Sequence, residues 1–579
     1  MNETAYETFV PLARLTLGDS YGGTCRERWV RPLAQLLEAA SRGVGHLPLS
    51  VCPLDAEPPT EFFAIADGRV MLPRNAGYWR EARERIEALH SRTTELLPDD
   101  AIACALDSIL PPLQQRSPNG NVIFDNGGQR LAVAAFVDAT MGVLTGGPGT
   151  GKTTSAAALL AIRKRLIPNL SPEQVLLCAP TGKAACRLGE SMKAAAARLC
   201  ISADERHFLC GLVPQTLHRA LQWGPKPPEK GGPFGRGLAR PLTQELVLVD
   251  EASMVDLYLM THLLRALSPR SSLLLLGDSD QLESVDTGGV LAELVQRGSG
   301  SIPLPAQVNH WTARLGTDAQ SMLDQATPSD GRASPLPGLV VRLHHSYRAK
   351  QSPWILELAG IAKPGARSSV EDFVACCHRH EPKLRLHKYH RALLSVCRES
   401  WSKAQAASSS WTGEHLPGDA ELNALLRQFQ LLCGDNAQVA RANRLGVSDL
   451  WGDVPQPDNL ALPHGCPVLV TQNRLTLGVF NGDVGVAIGP APGQPAQVVA
   501  FPGLESPIAI AQLPAHQPAF ALTIHKSQGS EWESVAIDLP SESELLDRNL
   551  LYTAISRSSG TLDIYADGER ALAEILGER

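Results

Sequence analysis

No two cysteines in this chain stand as a C-x-x-C pair, although twelve are scattered along its 579 residues. Finger-like zinc modules use such paired ligands, so that ligand spacing is absent and reduced thiols are the simplest account. His207 and Cys210 come nearest to a ligand pair, but no second pair follows at finger-like spacing, so they are read as packing residues. The adjacent Cys376 and Cys377 are poorly placed to share a metal. An excess of positive charge is also missing. With a net charge of −7, the field of the whole molecule does not draw nucleic acid, and any such binding has to come from local basic grooves. The start, Met1-Asn2-Glu3-Thr4, has neither the basic nor the apolar part of an export signal, and no run approaches a membrane span. A soluble cytoplasmic chain with no membrane partner is expected. Apolar content is ordinary at 44%, and 579 residues exceed what one core supports, so two to four domains are expected.

The most informative stretch is Gly146-Gly147-Pro148-Gly149-Thr150-Gly151-Lys152-Thr153, followed by Thr154. It has the spacing G-x-x-x-x-G-K-[ST] between an apolar run (Met141 to Leu144) and an alanine-rich helical run, the strand, loop and helix that a phosphate cradle requires. The glycines let successive backbone N–H groups turn inward on a phosphate, and the helix adds the positive end of its dipole. Lys152 reaches the β/γ oxygens of ATP, and the Thr153 hydroxyl holds Mg²⁺. Downstream, Leu246 to Val249 delivers Asp250 and Glu251 to a strand end. Asp250 suits Mg²⁺ held through water, and Glu251 suits deprotonating the attacking water. After Leu273 to Leu276, Gln281 is placed to sense the γ-phosphate.

Short β-rich runs alternating with helices from about residue 120 predict a parallel sheet covered on both faces. Ahead of the cradle, Gln129 is either a surface residue or an amide reading the adenine edge. Val175 to Cys178 ends at Thr181 and Lys183, where strand-end loops in open parallel sheets collect phosphates or a nucleic-acid backbone. The stretch 222–242 is Gly/Pro-rich and basic, with Trp223 and Phe234. It is either a surface insert or a hairpin that splits duplexes. Residues 298–338 read as connection, and a second β/α unit is expected to begin near Val340. Short strands punctuated by Asn481-Gly482-Asp483 over about 460–515 predict a small β-barrel inserted in that unit. Residues 1–115 read as a helical domain, with Trp29, Val30, Leu33, Leu36 and Leu37 at helical spacing and Gln114 to Asn119 as its polar connector. No acidic cluster with a nearby lysine forms a nuclease centre.

In their order, these segments resemble the superfamily 1 DNA helicases and, within them, the RecD family, the alpha subunits of RecBCD (exonuclease V) complexes. The resemblance covers roughly residues 120–575. It is carried by Gly146 to Thr153, Thr216-Leu217-His218-Arg219, Asp250 to Asp256, Gly277 to Leu282, His345-Ser346-Tyr347-Arg348, Phe480 to Gly485 and Thr523 to Trp532. It implies an α/β fold of two RecA-like P-loop domains, 116–340 and 341–579, with an SH3-like insert and an amino-terminal docking domain. Gln129 and Tyr347 would recognise the adenine. Gly529 and Glu531 would lie on the nucleotide side, and Arg348 and Arg557 would reach the γ-phosphate. Thr181, Lys183, His218, Thr523, His525 and Lys526 would follow the single strand. The implied activity is ATP-dependent 5′ to 3′ translocation and unwinding at duplex DNA ends, beside RecB-like beta and RecC-like gamma subunits. Free-standing relatives usually carry a helix-hairpin-helix extension, which is not found here; a solitary helicase or a subunit with a vestigial ATP site are the alternatives. One departure is the sequence Ser558-Ser559-Gly560 after Arg557, where the family tends to be basic.

Overall fold

The structure is a computed structural model. It describes residues 9–14, 16, 24–41, 47–49, 52, 54, 60, 62–66, 69–92, 96–116, 122–124, 126–224, 233–282, 289–298, 303–316, 319–326, 336–347, 352–363, 365–387, 391–412, 415–451, 461–491, 494–540 and 547–577. The chain divides into two compact units, the first comprising Met1–Pro180, Ala184–Ser279 and Glu283–His345, the second Thr181–Lys183, Asp280–Leu282 and Ser346–Arg579. Among the described residues, no helix is long and apolar enough to cross a membrane.

In the first unit, β1 (Leu47–Pro48), β2 (Ala64–Ala66) and β3 (Arg69–Met71) form a small antiparallel sheet in the order β1-β3-β2, and β4 (Gln114–Arg116) pairs antiparallel with β5 (Val122–Phe124). The main sheet is built from β6 (Met141–Gly146), β7 (Val175–Ala179), β8 (Gln215–Thr216), β9 (Leu246–Val249), β10 (Ser272–Gly277) and β11 (Val340–Leu343). Its order is β11-β6-β10-β9-β7-β8, with every neighbouring pair parallel. Successive side chains point to opposite faces, so Leu246, Leu248, Leu274 and Leu276 enter one core and Val247, Val249, Leu273 and Leu275 the other. That is why these strands read as unbroken apolar runs rather than alternations.

Several expectations change here. Residues 1–115 are not purely helical. Trp29, Val30 and Leu33 of the helix Thr24–Ser41 pack with Phe63 and Val70 in a small separate core that includes a strand of the β1-β3-β2 sheet. The helices Pro73–His90 and Asp99–Ile109 instead bury Ala82, Ile86 and Leu89, and Ile102, Leu106 and Ile109, in the two cores of the main sheet. Part of the expected polar connector, Gln114–Arg116, is a strand. The segment 298–338 contains the helices Pro305–Leu315 and Ala319–Ala326, held because Trp311, Leu315, Ala319 and Met322 bury against the first core. Val340 does not open a second sheet: β11 runs parallel to β6, with Val340 opposite Val143 and Leu343 opposite Gly146. Backbone pairing decided this, and apolarity alone does not name a strand's neighbour.

The second unit carries β12 (Leu384–His387), β13 (Phe429–Cys433), β14 (Pro467–Val470), β15 (Val484–Ile488), β16 (Val498–Ala500), β17 (Ile508–Ala509), β18 (His516–Pro518), β19 (Ala521–Thr523), β20 (Trp532–Leu539) and β21 (Ser558–Ala566). Its parallel sheet has the order β12-β21-β20-β13-β19. Val535, Ile537, Leu562 and Ile564 fill one face, while Leu431, Cys433, Ala536 and Tyr565 fill the other. Where the sequence predicts an inserted barrel, the strands form an antiparallel sheet, β17-β16-β15-β14-β18. Leu477 to Phe480, an apolar run within that stretch, is not a strand: a 3₁₀ turn at Leu475–Leu477 is followed by a single bridge from Val479 to Arg474. The fold is therefore mixed α/β, with a parallel sheet in each unit.

Candidate nucleotide site and nucleic-acid contacts

The strand β6 is buried along its whole length and delivers Gly146 to the cradle, after which the helix Lys152–Leu166 begins. Gly149 and Gly151 have φ of 72° and 89°, a left-handed conformation that turns the loop back on itself and that residues with a Cβ rarely adopt. A Cβ at Gly146 would stand 2.8 Å from the Leu343 carbonyl oxygen. The Thr150 hydroxyl donates to the Gly147 carbonyl at 2.8 Å, and the Lys152 ammonium donates to the carbonyls of Gly146 at 2.6 Å and Gly147 at 3.3 Å. Pro148, Thr153 and Thr154 are half-buried around the loop. Gln129 is buried rather than on the surface, and its amide donates to the Thr150 carbonyl at 2.9 Å. It therefore braces the cradle.

Asp250 and Glu251 leave the end of β9, next to β10 in the sheet, with β6 on the far side of β10. Glu251 is one of two described non-glycine residues with positive φ, at 51°. Such a conformation costs of order 1–3 kcal/mol and persists where the surroundings impose it, as at catalytic turns. Its N–H donates to Asp250 Oδ1 at 2.9 Å. Burial raises the Asp250 carboxyl well above the ordinary aspartate range, the charge of Glu251 adds to this, and the Lys152 ammonium opposes it. A carboxylate raised in this way gains from a cation, so the residues present fit Mg²⁺ at Asp250 and Thr153. Gly277 is fixed by close approach, since a Cβ there would stand 3.2 Å from the Ser253 backbone nitrogen and 2.5 Å from Leu291.

Sequence reasoning missed two things here. Ser279 donates to Thr145 Oγ1 and receives a bond from Arg342 Nη2 at 2.9 Å, tying the residue before the cradle to β11. The Ser253 hydroxyl, two residues after Glu251, is buried without a hydrogen-bond partner among the described residues. Its place just after Asp-Glu was the available signal.

In the second unit, Gln281 is buried, and its neighbour Leu282 donates to Thr553 Oγ1 at 3.0 Å and accepts from the Gln528 amide at 3.0 Å. Gln281 thus lies beside the loop that follows β19. Buried Thr523 ends β19, and the loop after it holds half-buried His525, exposed Lys526, Gly529 with a φ of 69°, and half-buried Glu531. Burial lowers the His525 imidazole, against the field of Asp547. Arg557 follows the helix Arg548–Ile555 and is only 3% exposed. Its guanidinium donates to Thr553 O at 3.0 Å, Ser556 Oγ at 2.9 Å and Ser530 O at 3.3 Å. The small residues after it have a packing reason: a Cβ at Gly560 would stand 2.7 Å from the Glu533 carbonyl oxygen. Tyr347 is half-buried, while Arg348 lies outside the described residues.

Of the candidate nucleic-acid residues, Thr181 and Lys183 are half-buried at the opening of the helix Gly182–Arg198. His218 lies on the short helix Leu217–Ala220, and burial lowers its imidazole while Asp256 opposes. Around it stands the base of the 222–242 insert, where Trp223 bridges Phe234. Phe234 is buried 4.6 Å from the His262 ring, whereas Trp223 is 56% exposed with its ring edge-on to His218 at 6.1 Å. Lys226, Glu229 and Lys230 lie outside the described residues.

The family profile for an AAA domain matches residues 129–287, and that for a UvrD-like helicase C-terminal domain matches residues 518–565. The RecBCD enzyme subunit RecD of Mycobacterium tuberculosis is 34% identical over 517 residues, which span 87% of this chain and 77% of that protein. This chain belongs to the RecD family of superfamily 1 DNA helicases. A second RecD-type relative, the ATP-dependent RecD2 DNA helicase of Deinococcus radiodurans, is 29% identical over 417 residues, 72% of this chain and 45% of that protein. Among solved structures, the Pif1 helicase of Candida albicans aligns with a TM-score of 0.41 at 15% identity, covering 78% of this chain and 96% of that one.

Proposed function

We propose that this RecD-family chain is an ATP-driven motor that moves 5′ to 3′ along single-stranded DNA and unwinds duplex ends, as the alpha subunit beside RecB-like and RecC-like chains. The observation that carries the reading is the geometry at the carboxyl ends of β6 and β9, a left-handed glycine cradle with Lys152 and a strained Glu251. Lys152 and the cradle N–H groups hold the phosphates of ATP, Gln129 and Tyr347 the adenine, and Gly529 and Glu531 assist on the nucleotide side. Asp250 and Thr153 would hold Mg²⁺, which supplies charge neutralisation to the phosphates when bound. Glu251 takes the proton of the attacking water, Gln281 senses the γ-phosphate, and Arg348 and Arg557 meet its developing charge.

Thr181, Lys183, His218, Thr523, His525 and Lys526 grip the strand by phosphate contacts, so binding is salt-dependent and largely sequence-blind. Trp223, exposed at the base of the basic insert, suits stacking on a separated base. The test is unwinding of duplexes with a 5′ or a 3′ overhang, by the isolated chain and by the chain with co-purifying partners. Unwinding from 5′ overhangs, with ATP turnover stimulated by single strands, is the expected result; unwinding only from 3′ overhangs overturns the polarity, and no turnover in either preparation overturns the motor.

A further inference from the structure

Away from the nucleotide and strand-end loops, the second unit gathers three side chains of metal-ligand type. Glu357 lies on the helix Pro353–Ala362, Cys376 on the helix Val370–Arg379, and His380 caps that second helix. Cys376 and His380 are four residues apart, the spacing that stacks two side chains on one helical face. The second helix is pinned at its start, where the Ser369 hydroxyl accepts from the Asp372 N–H and the Asp372 carboxylate accepts from the Ser369 N–H. The two helices share one core, in which Trp354, Leu358, Phe373 and Cys377 are buried. Glu357 therefore faces the pair from a rigid neighbour. One ligand atom from each of the three side chains lies within 4.8 Å of the others.

We propose that Glu357, Cys376 and His380 form a zinc-binding site that clasps these two helices. Thiolate, imidazole and carboxylate together suit a borderline-soft ion, whereas magnesium and calcium call for oxygen ligands alone. Zinc-to-ligand distances of about 2.0–2.3 Å put neighbouring tetrahedral ligands roughly 3.3–3.8 Å apart, so side-chain shifts on the order of 1 Å, including a slight opening of the Glu357–His380 pair, complete the set, with water as fourth ligand. Glu357 already receives the His380 ring at 2.7 Å and pairs with Arg379. The cation takes over the carboxylate that these two now share, and Arg379, 62% exposed, turns to water. The thiol proton is released to solvent, so affinity rises with pH. Sequence spacing hid the site because its third ligand comes from a different helix.

The test uses the full chain stripped with chelator and then titrated with Co²⁺ or Zn²⁺. The expected result is one equivalent of Co²⁺ giving a thiolate-to-cobalt absorption band, displaced by Zn²⁺, and a rise in melting temperature with Zn²⁺. Since Cys376 is buried, the deciding variants are His380→Gln and Glu357→Gln at half-buried positions, with Cys210→Ser at an exposed cysteine as control. Both deciding variants should keep the metal-free melting temperature within a few degrees, weaken Co²⁺ binding at least tenfold and lose the zinc-dependent rise, while the control keeps band and rise. Absence of the band in the natural chain, or its persistence in His380→Gln, overturns the site.

Discussion

Lys152 and Arg557 are both cations at the junction of a helix and a parallel strand, yet they stand at opposite ends of their helices. Lys152 opens a helix, where the backbone dipole presents positive charge and repels an ammonium; its stabilising contacts are two carbonyls of its own loop. Arg557 follows a helix, where the dipole is negative, and its guanidinium is taken up by Thr553, Ser556 and Ser530. The first position is electrostatically reasonable when an anion shares it, whereas the second is already stable within the folded unit. A binding residue can thus be told from a packing one by whether its own surroundings satisfy it. Arg557 is satisfied, so its proposed role at the γ-phosphate adds to a structural one.

The largest expected effect separates the two. Lys152→Gln should lower DNA-stimulated ATP turnover by about 10³-fold or more while leaving the melting temperature unchanged or slightly raised; normal turnover in this variant refutes the cradle. Arg557→Lys should also slow turnover, by at least about 10²-fold, and in addition cost about 1–3 kcal/mol of stability because buried acceptors lose their planar donor. Denaturant unfolding beside steady-state kinetics tests the contrast, and equal stability of the two variants would erase it.

Gly151→Ala is expected to be next in size. It meets both a left-handed φ and the Gln129 amide, whose nitrogen would lie 1.9 Å from the new Cβ. ATP affinity should fall about tenfold together with the melting temperature, and adding Gln129→Ala should restore part of the stability, though not the affinity, by removing the clash but not the backbone strain. If the double variant is no more stable than the single one, Gln129 does not pack on the cradle.

The smallest effect concerns the aromatic cluster at the base of the basic insert. Burial lowers the His262 imidazole from 6.5 to about 4, with Arg265 adding to this and Glu81 opposing it. The native state therefore keeps this ring neutral while the unfolded chain protonates it, and stability is lost as pH falls from 6.5 to about 4. His262→Phe should flatten that part of the melting-temperature profile while turnover at neutral pH stays unchanged; an unaltered profile would assign the acid sensitivity elsewhere.

Much of the candidate site was legible because its chemistry is local. Eight consecutive residues set the cradle, and an apolar strand followed by Asp-Glu set the carboxylates, since each needs only a strand end and the next few backbone N–H groups. The strand β11 was legible as a strand but not as a member of the first sheet, and the helices between 305 and 326 were masked by a glycine, proline and serine composition that buried Trp311 and Met322 overrule. Gln129 could be read as a surface amide or as an adenine contact, but nothing within a few residues shows that it packs on Gly151.

The sequence by itself determined the two α/β regions, the phosphate loop and the strand-end carboxylates, because periodicity, glycine spacing and helix starts act over one or two turns. Tertiary structure alone decided which sheet takes β11, that Gln129 braces the cradle, that Arg557 is held by its own unit, and that Glu357 meets Cys376 and His380. Each of these depends on side chains or strands brought together from distant positions, and that is fixed by packing and backbone pairing rather than by local preference.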